Sequence, residues 1–143
     1  MSFQYFVQIT IRETYLGTDE EGEDKRLRLA LEEIQEWIDA QTFVELSSDR
    51  GAHLGLTYVN GVSVLIGFGN PNKPGTNPGY PAAIRELFDL VVSAAPGSFG
   101  LAYYINHDTD TDWTVLVVKR GQVTVETDPW FSPMIPTVED PSE

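Results

Sequence analysis

The chain has 143 residues, 22 of them acidic and 9 basic, which gives a formal charge of -13 at pH 7. Such a balance argues against direct binding to nucleic acid or to anionic lipid, because both need Lys and Arg to neutralise phosphate, and it makes a basic partner the natural converse. A hydrophobic content of 41%, with 7 Phe, 6 Tyr and 3 Trp, suits one folded domain over residues 1–143, and the count of 0 Cys excludes disulfides, thiolate metal sites and cysteine nucleophiles.

The longest apolar run falls far short of the ~20 residues a membrane helix requires, and Met-Ser-Phe-Gln-Tyr at the start offers no basic region followed by an apolar core. A cytoplasmic protein with no membrane contact is expected. Phe3, Tyr5, Val7, Ile9 and Ile11 share one face of an opening strand. Asp19, Glu20, Glu21, Glu23 and Asp24 then precede a helix, whose positive dipole end attracts them. Leu27, Leu31, Ile34 and Ile38 recur at helical spacing over Lys25 to Ala40, with Ala30 and Trp37 widening the stripe, so Trp37 is expected in the core.

Thr42 to Leu46 reads as a short strand. Leu54, Leu56 and Tyr58 alternate up to Asn60-Gly61, a two-residue hairpin signal because both positions tolerate positive φ, and Val62, Val64, Ile66 and Phe68 alternate after it. Gly69 to Gly79, with its prolines and glycines, reads as a surface loop. Pro81 suits a first helical turn, and Ile84, Leu87, Phe88, Val91 and Ala95 form a second amphipathic stripe ending at Pro96-Gly97.

Phe99, Leu101, Tyr103 and Ile105 alternate next, the acidic segment Asn106 to Asp112 interrupts, and Trp113, Val115 and Val117 resume. Arg120-Gly121 turns the chain into a last run at Val123 and Val125. This order predicts an α+β fold, with two helices packed on one face of a mostly antiparallel sheet. After it, residues 128–140 hold Trp130, Phe131, Met134 and Ile135 among prolines that bar helix and central strand. An extended segment packed on the domain is expected, with Trp130 and Phe131 docked.

Asp108, Asp110 and Asp112 have the spacing of a calcium loop's first three oxygen positions, but Trp113 stands where the turn glycine belongs and Lys119 where the bidentate glutamate belongs. No metal and no other cofactor is expected. His107 has no second histidine at ligand spacing, and Ser98 and Ser132 lack a nucleophile elbow. The sequence therefore points away from an enzyme, with a small hydrolase using Asp and His of the loop as the remaining catalytic reading.

Ile9-Thr10-Ile11-Arg12-Glu13, Ala95-Pro96-Gly97-Ser98-Phe99-Gly100-Leu101, the Asp108 to Asp112 loop, Arg120-Gly121 and Asp128-Pro129-Trp130-Phe131-Ser132-Pro133 together resemble the Immunity protein 7 family of bacterial polymorphic toxin systems. What the resemblance implies is a non-enzymatic antidote that binds the C-terminal domain of a cognate toxin. The acidic charge agrees in sign with a basic toxin, a nuclease first, a deaminase or ADP-ribosyltransferase next. An acidic adaptor domain without a toxin is the alternative. The candidate contact residues are Asp108, Asp110, Asp112 and Trp113 at the hairpin tip, with Asp19, Glu20 and Glu21 as a second acidic surface.

Overall fold

The structure, a computed structural model, describes residues 3–14, 23–40, 53–69 and 79–133. Among them the chain forms β1 (Phe3–Ile11), α1 (Glu23–Ala40), β2 (His53–Val59), β3 (Val62–Gly69), α2 (Gly79–Ala94), β4 (Phe99–Asn106), β5 (Thr114–Lys119) and β6 (Gln122–Thr127). All six strands join one sheet in the order β2-β3-β1-β4-β5-β6, and every pairing is antiparallel. The predicted α+β fold is the observed one. Its two outermost hairpins close on tight turns with positive φ at both central residues, Asn60 and Gly61 in one and Arg120 and Gly121 in the other, the backbone hand that matches strand twist.

Both helices lie on one face of the sheet. Ile34 and Ile38 of α1, with Ile84, Leu87, Phe88 and Val91 of α2, are buried against Tyr5, Val7 and Ile9 of β1, Leu65 of β3, Ala102 of β4 and Leu116 and Val118 of β5. Each such side chain stabilises the fold by roughly 1.5–3 kcal/mol on burial, so this layer is the main source of stability. Trp37 departs from expectation. It is half-buried at the seam between the helices, where its Nε1–H donates to Glu86 Oε1 at 2.7 Å. An indole keeps its N–H at the edge of a core where that group has a polar partner.

The strand faces also differ from a simple size rule. On β3 and β4 the helix-facing positions carry Leu65, Gly67 and Gly69, and Gly100 and Ala102, while Ile66, Phe68, Phe99, Leu101, Tyr103 and Ile105 point to the opposite face. Small residues admit the Tyr5 ring and the close approach of β1. At Gly100 a Cβ would stand 2.1 Å from the Gln8 carbonyl oxygen, so no other residue fits there without moving β1. Ser98 fastens the same seam: its Oγ accepts the Arg12 N–H at 3.1 Å and donates to the Arg12 carbonyl at 3.4 Å.

Asp19, Glu20 and Glu21, the strand predicted over Thr42 to Leu46, the loop positions 70–78 and the tail beyond Pro133 lie outside the described residues.

Candidate partner interface

The face turned away from the helices has its own smaller core. Tyr103, Ile105, Trp113 and Val115 are buried there, with Phe6, Leu101 and Val117 packed around them. Phe6 stacks on Tyr103 at 4.9 Å between ring centroids, which the β1–β4 register sets by placing the two directly opposite each other. Among the described residues no helix covers this cluster, and the turn that follows β6 lies over Tyr103 and Trp113.

That turn is built by polar bonds. The Asp128 N–H donates to the Trp113 carbonyl at 3.0 Å, and the Trp113 N–H donates to Ser132 Oγ at 2.6 Å, so residue 113 is clipped on both sides of its backbone. Asp128 Oδ2 accepts the N–H groups of Trp130 at 3.0 Å and Ser132 at 3.2 Å, and that of Phe131 as well. A carboxylate gathering three successive amides fixes the turn as an aspartate does when it caps a helix start. Asp128 is only 1% exposed, and its Oδ1 has no hydrogen-bond partner. The Tyr103 phenol is held above its ordinary pKa, by burial first and by the neighbouring Asp128 carboxylate second. The peptide bond between Ser132 and Pro133 is cis.

Phe131 leans over the cluster, with ring centroids 5.4 Å from Tyr103, 5.5 Å from Trp113 and 6.2 Å from Phe6, yet it remains 53% exposed. Trp130 does not dock at all. It is 79% exposed, contrary to the expectation that both aromatics would pack on the domain. The physical reason lies in the turn: three consecutive amides converge on one carboxylate, and a chain bent that tightly turns successive side chains in different directions.

Trp113 requires the opposite correction. It is 6% exposed, under Phe131 and edge-on to His107 at 6.3 Å, so it supports a surface and presents none itself. The acidic loop beside it is exposed, as expected of Asp108, Asp110 and Asp112. Its shape is internally fixed. Asn106 Oδ1 accepts the Asp108 N–H at 2.9 Å, the Asn106 carbonyl accepts the N–H groups of Thr109 at 3.1 Å and Asp110 at 2.8 Å, and Asp110 Oδ2 returns to the Asn106 N–H at 3.1 Å. His107 Nε2 meets Gln4 Oε1 at 3.0 Å and ties the loop to β1.

Two serines weighed as nucleophiles are structural instead: Ser98 Oγ bonds to the backbone of Arg12, and Ser132 Oγ to that of Trp113. Among the described residues no group of three or more His, Cys, Asp or Glu is arranged to hold a metal ion. No helix among them is long and apolar enough to cross a membrane.

Residues 2–140 match the Immunity protein 7 family, essentially the whole chain. The chain belongs to that family. It has no match among curated proteins or solved structures. Within the Immunity protein 7 chain, the landmarks of the sequence resemblance can now be given physical roles. Ser98 and Gly100 let β1 meet β4, Arg120-Gly121 turns β5 into β6, and Asp128 with Ser132 closes the clip over Trp113. An immunity protein implies a cognate toxin as partner. Sequence reading missed the clip's covering role; its signal was present as an Asp-Pro opening with Ser four residues on, a turn-forming pattern.

Proposed function

We propose that this Immunity protein 7 chain is a non-enzymatic, stoichiometric inhibitor that binds the C-terminal domain of its cognate toxin in the cytoplasm and blocks it. Family membership over residues 2–140 is the observation that carries this reading. The charge of -13 supports a basic target, with a nuclease domain first among toxins that act on phosphate-bearing substrates. The hairpin-tip carboxylates Asp108, Asp110 and Asp112 form the contact that draws the toxin in. They are exposed, and although Asp110 helps shape the loop by accepting the Asn106 N–H, they contribute little to either core. Asp19, Glu20 and Glu21 are the second acidic contact surface.

The test is co-expression with the cognate toxin domain, scored by growth rescue and by recovery of a one-to-one complex. Rescue with a complex is expected; rescue without any complex would point to catalysis or to an indirect effect and sink the inhibitor reading. Replacing Asp108, Asp110 and Asp112 together by Asn should slow association, most at low salt, because exposed interface charges act mainly on the on-rate. Identical association rates for parent and triple variant across a salt series would move the interface off this loop.

A further inference from the structure

The turn over Trp113 leaves two large aromatics facing solvent side by side in the chain, one of them the most exposed large hydrophobic among the described residues. Trp130 is 79% and Phe131 53% exposed, and their backbone is held by three amides on Asp128 and by Ser132 on Trp113. Rigid, exposed Trp and Phe are costly to leave in water unless a partner uses them, and pinned aromatics lose little conformational freedom on binding. Carboxylates stand near them. Asp112 adjoins Trp113, whose ring touches Phe131, and Glu126, exposed, stands directly across from Val115 of the same cluster. Exposed aromatic rings beside exposed carboxylates are a chemistry that selects a cation with a flat face.

Resting on the inhibitor reading above, we propose that the Trp130-Phe131 ledge, bordered by Asp112 and Glu126, is the seat for an arginine side chain of the toxin domain. A guanidinium stacks on an aromatic face and donates in a fork to carboxylates, which an ammonium does less well, and Trp with Arg is a frequent pairing where a few contacts dominate an interface. The acidic loop would then steer the toxin, and the ledge would hold it.

Full-length protein is titrated with a hexa-arginine peptide and followed by two-dimensional nitrogen–proton NMR, with hexa-citrulline as the uncharged match. Saturable shifts centred on the Trp130 indole N–H and the Phe131 amide are expected with arginine and not with citrulline. Trp130→Ala should weaken binding by ~10-fold, and because Trp130 is largely exposed the fold should survive the change. Shifts confined to the exposed acids Glu32, Glu33 and Glu36 of α1, equal shifts with citrulline, or no saturation would overturn the proposal. So would a shift of the same signals, without peptide, on removal of residues 134–143, since the chain's own C-terminus would then be the occupant. Against the toxin domain, Trp130→Ala should speed dissociation by ~10-fold with little change in the salt dependence of association. A toxin held equally by parent and variant overturns the ledge and leaves the inhibitor reading standing. A toxin held by neither ends the inhibitor reading, and the peptide titration still decides the ledge's chemistry.

Discussion

The two faces of the sheet are covered by different means. On one, two amphipathic helices lay a continuous apolar layer on β1, and its large side chains, Phe88, Ile34, Leu87 and Val91 among them, are fully buried. On the other, four buried side chains are covered by one turn whose position depends on a carboxylate and a hydroxyl. Helix packing spreads stability over many nearly equal contacts. The clip concentrates it in two residues, which makes the outer face the easier one to open and the better place for a surface that must keep a fixed shape while staying exposed.

The largest expected effect is on the helix side. Phe88→Ala removes a fully buried ring and should cost about 3–5 kcal/mol, read as a lower denaturant midpoint. An unchanged midpoint would mean the helices do not rest on the sheet as described. Asp128→Ala comes next. It deprives three amides of their acceptor and should cost about 2–3 kcal/mol, with Trp fluorescence reporting a solvated Trp113 before global unfolding. If the two variants lose stability equally and in one transition, the faces form one cooperative unit and the contrast fails.

A smaller effect separates the faces by pH. Tyr5, on the helix side, and Tyr103, on the outer side, both hold their phenol protons above the ordinary pKa of about 10, Tyr5 by burial first and by Tyr80 second. The folded state therefore binds these protons more tightly than the unfolded chain. That contribution is fully present below pH ~10 and declines as pH rises above it. Melting temperature should be nearly flat from about pH 7 to 9 and fall beyond about pH 10. Tyr5→Phe should remove more of that alkaline fall than Tyr103→Phe, and equal slopes for all three proteins would refute the assignment.

Much of the fold was legible because its signals are periodic. Helical spacing located α1 within two residues of its start and α2 likewise, and Asn60-Gly61 and Arg120-Gly121 marked both turns. Which face of β3 and β4 meets the helices was not legible from size alone. The smaller set, Gly67, Gly69, Gly100 and Ala102, lies inward because Tyr5 and the neighbouring backbone fill the space above it, a condition set by other strands. Trp113 and Trp130 were misjudged for the same kind of reason. Trp113 was assigned by its place beside the acidic tip and Trp130 by its hydrophobicity, whereas their exposures are decided by a turn that lays Phe131 over one and directs the other outward. The acidic loop was read correctly as exposed, since three carboxylates in five residues cannot share a dry site unpaired.

The seam between β1 and β4 also sets a schedule for folding. Arg12 and Ser98, which fasten it, are 86 residues apart, and the two central strands of the sheet come from opposite ends of the chain's first hundred or so residues. At roughly 5–20 residues per second of synthesis, β1 waits on the order of 4–17 s before β4 emerges to flank it. During that wait β1 can pair with β3 on one edge only, its other edge stays open, and the clip over Trp113 comes later still. Translation and long-range pairing, more than helix formation, therefore pace the appearance of the finished outer face.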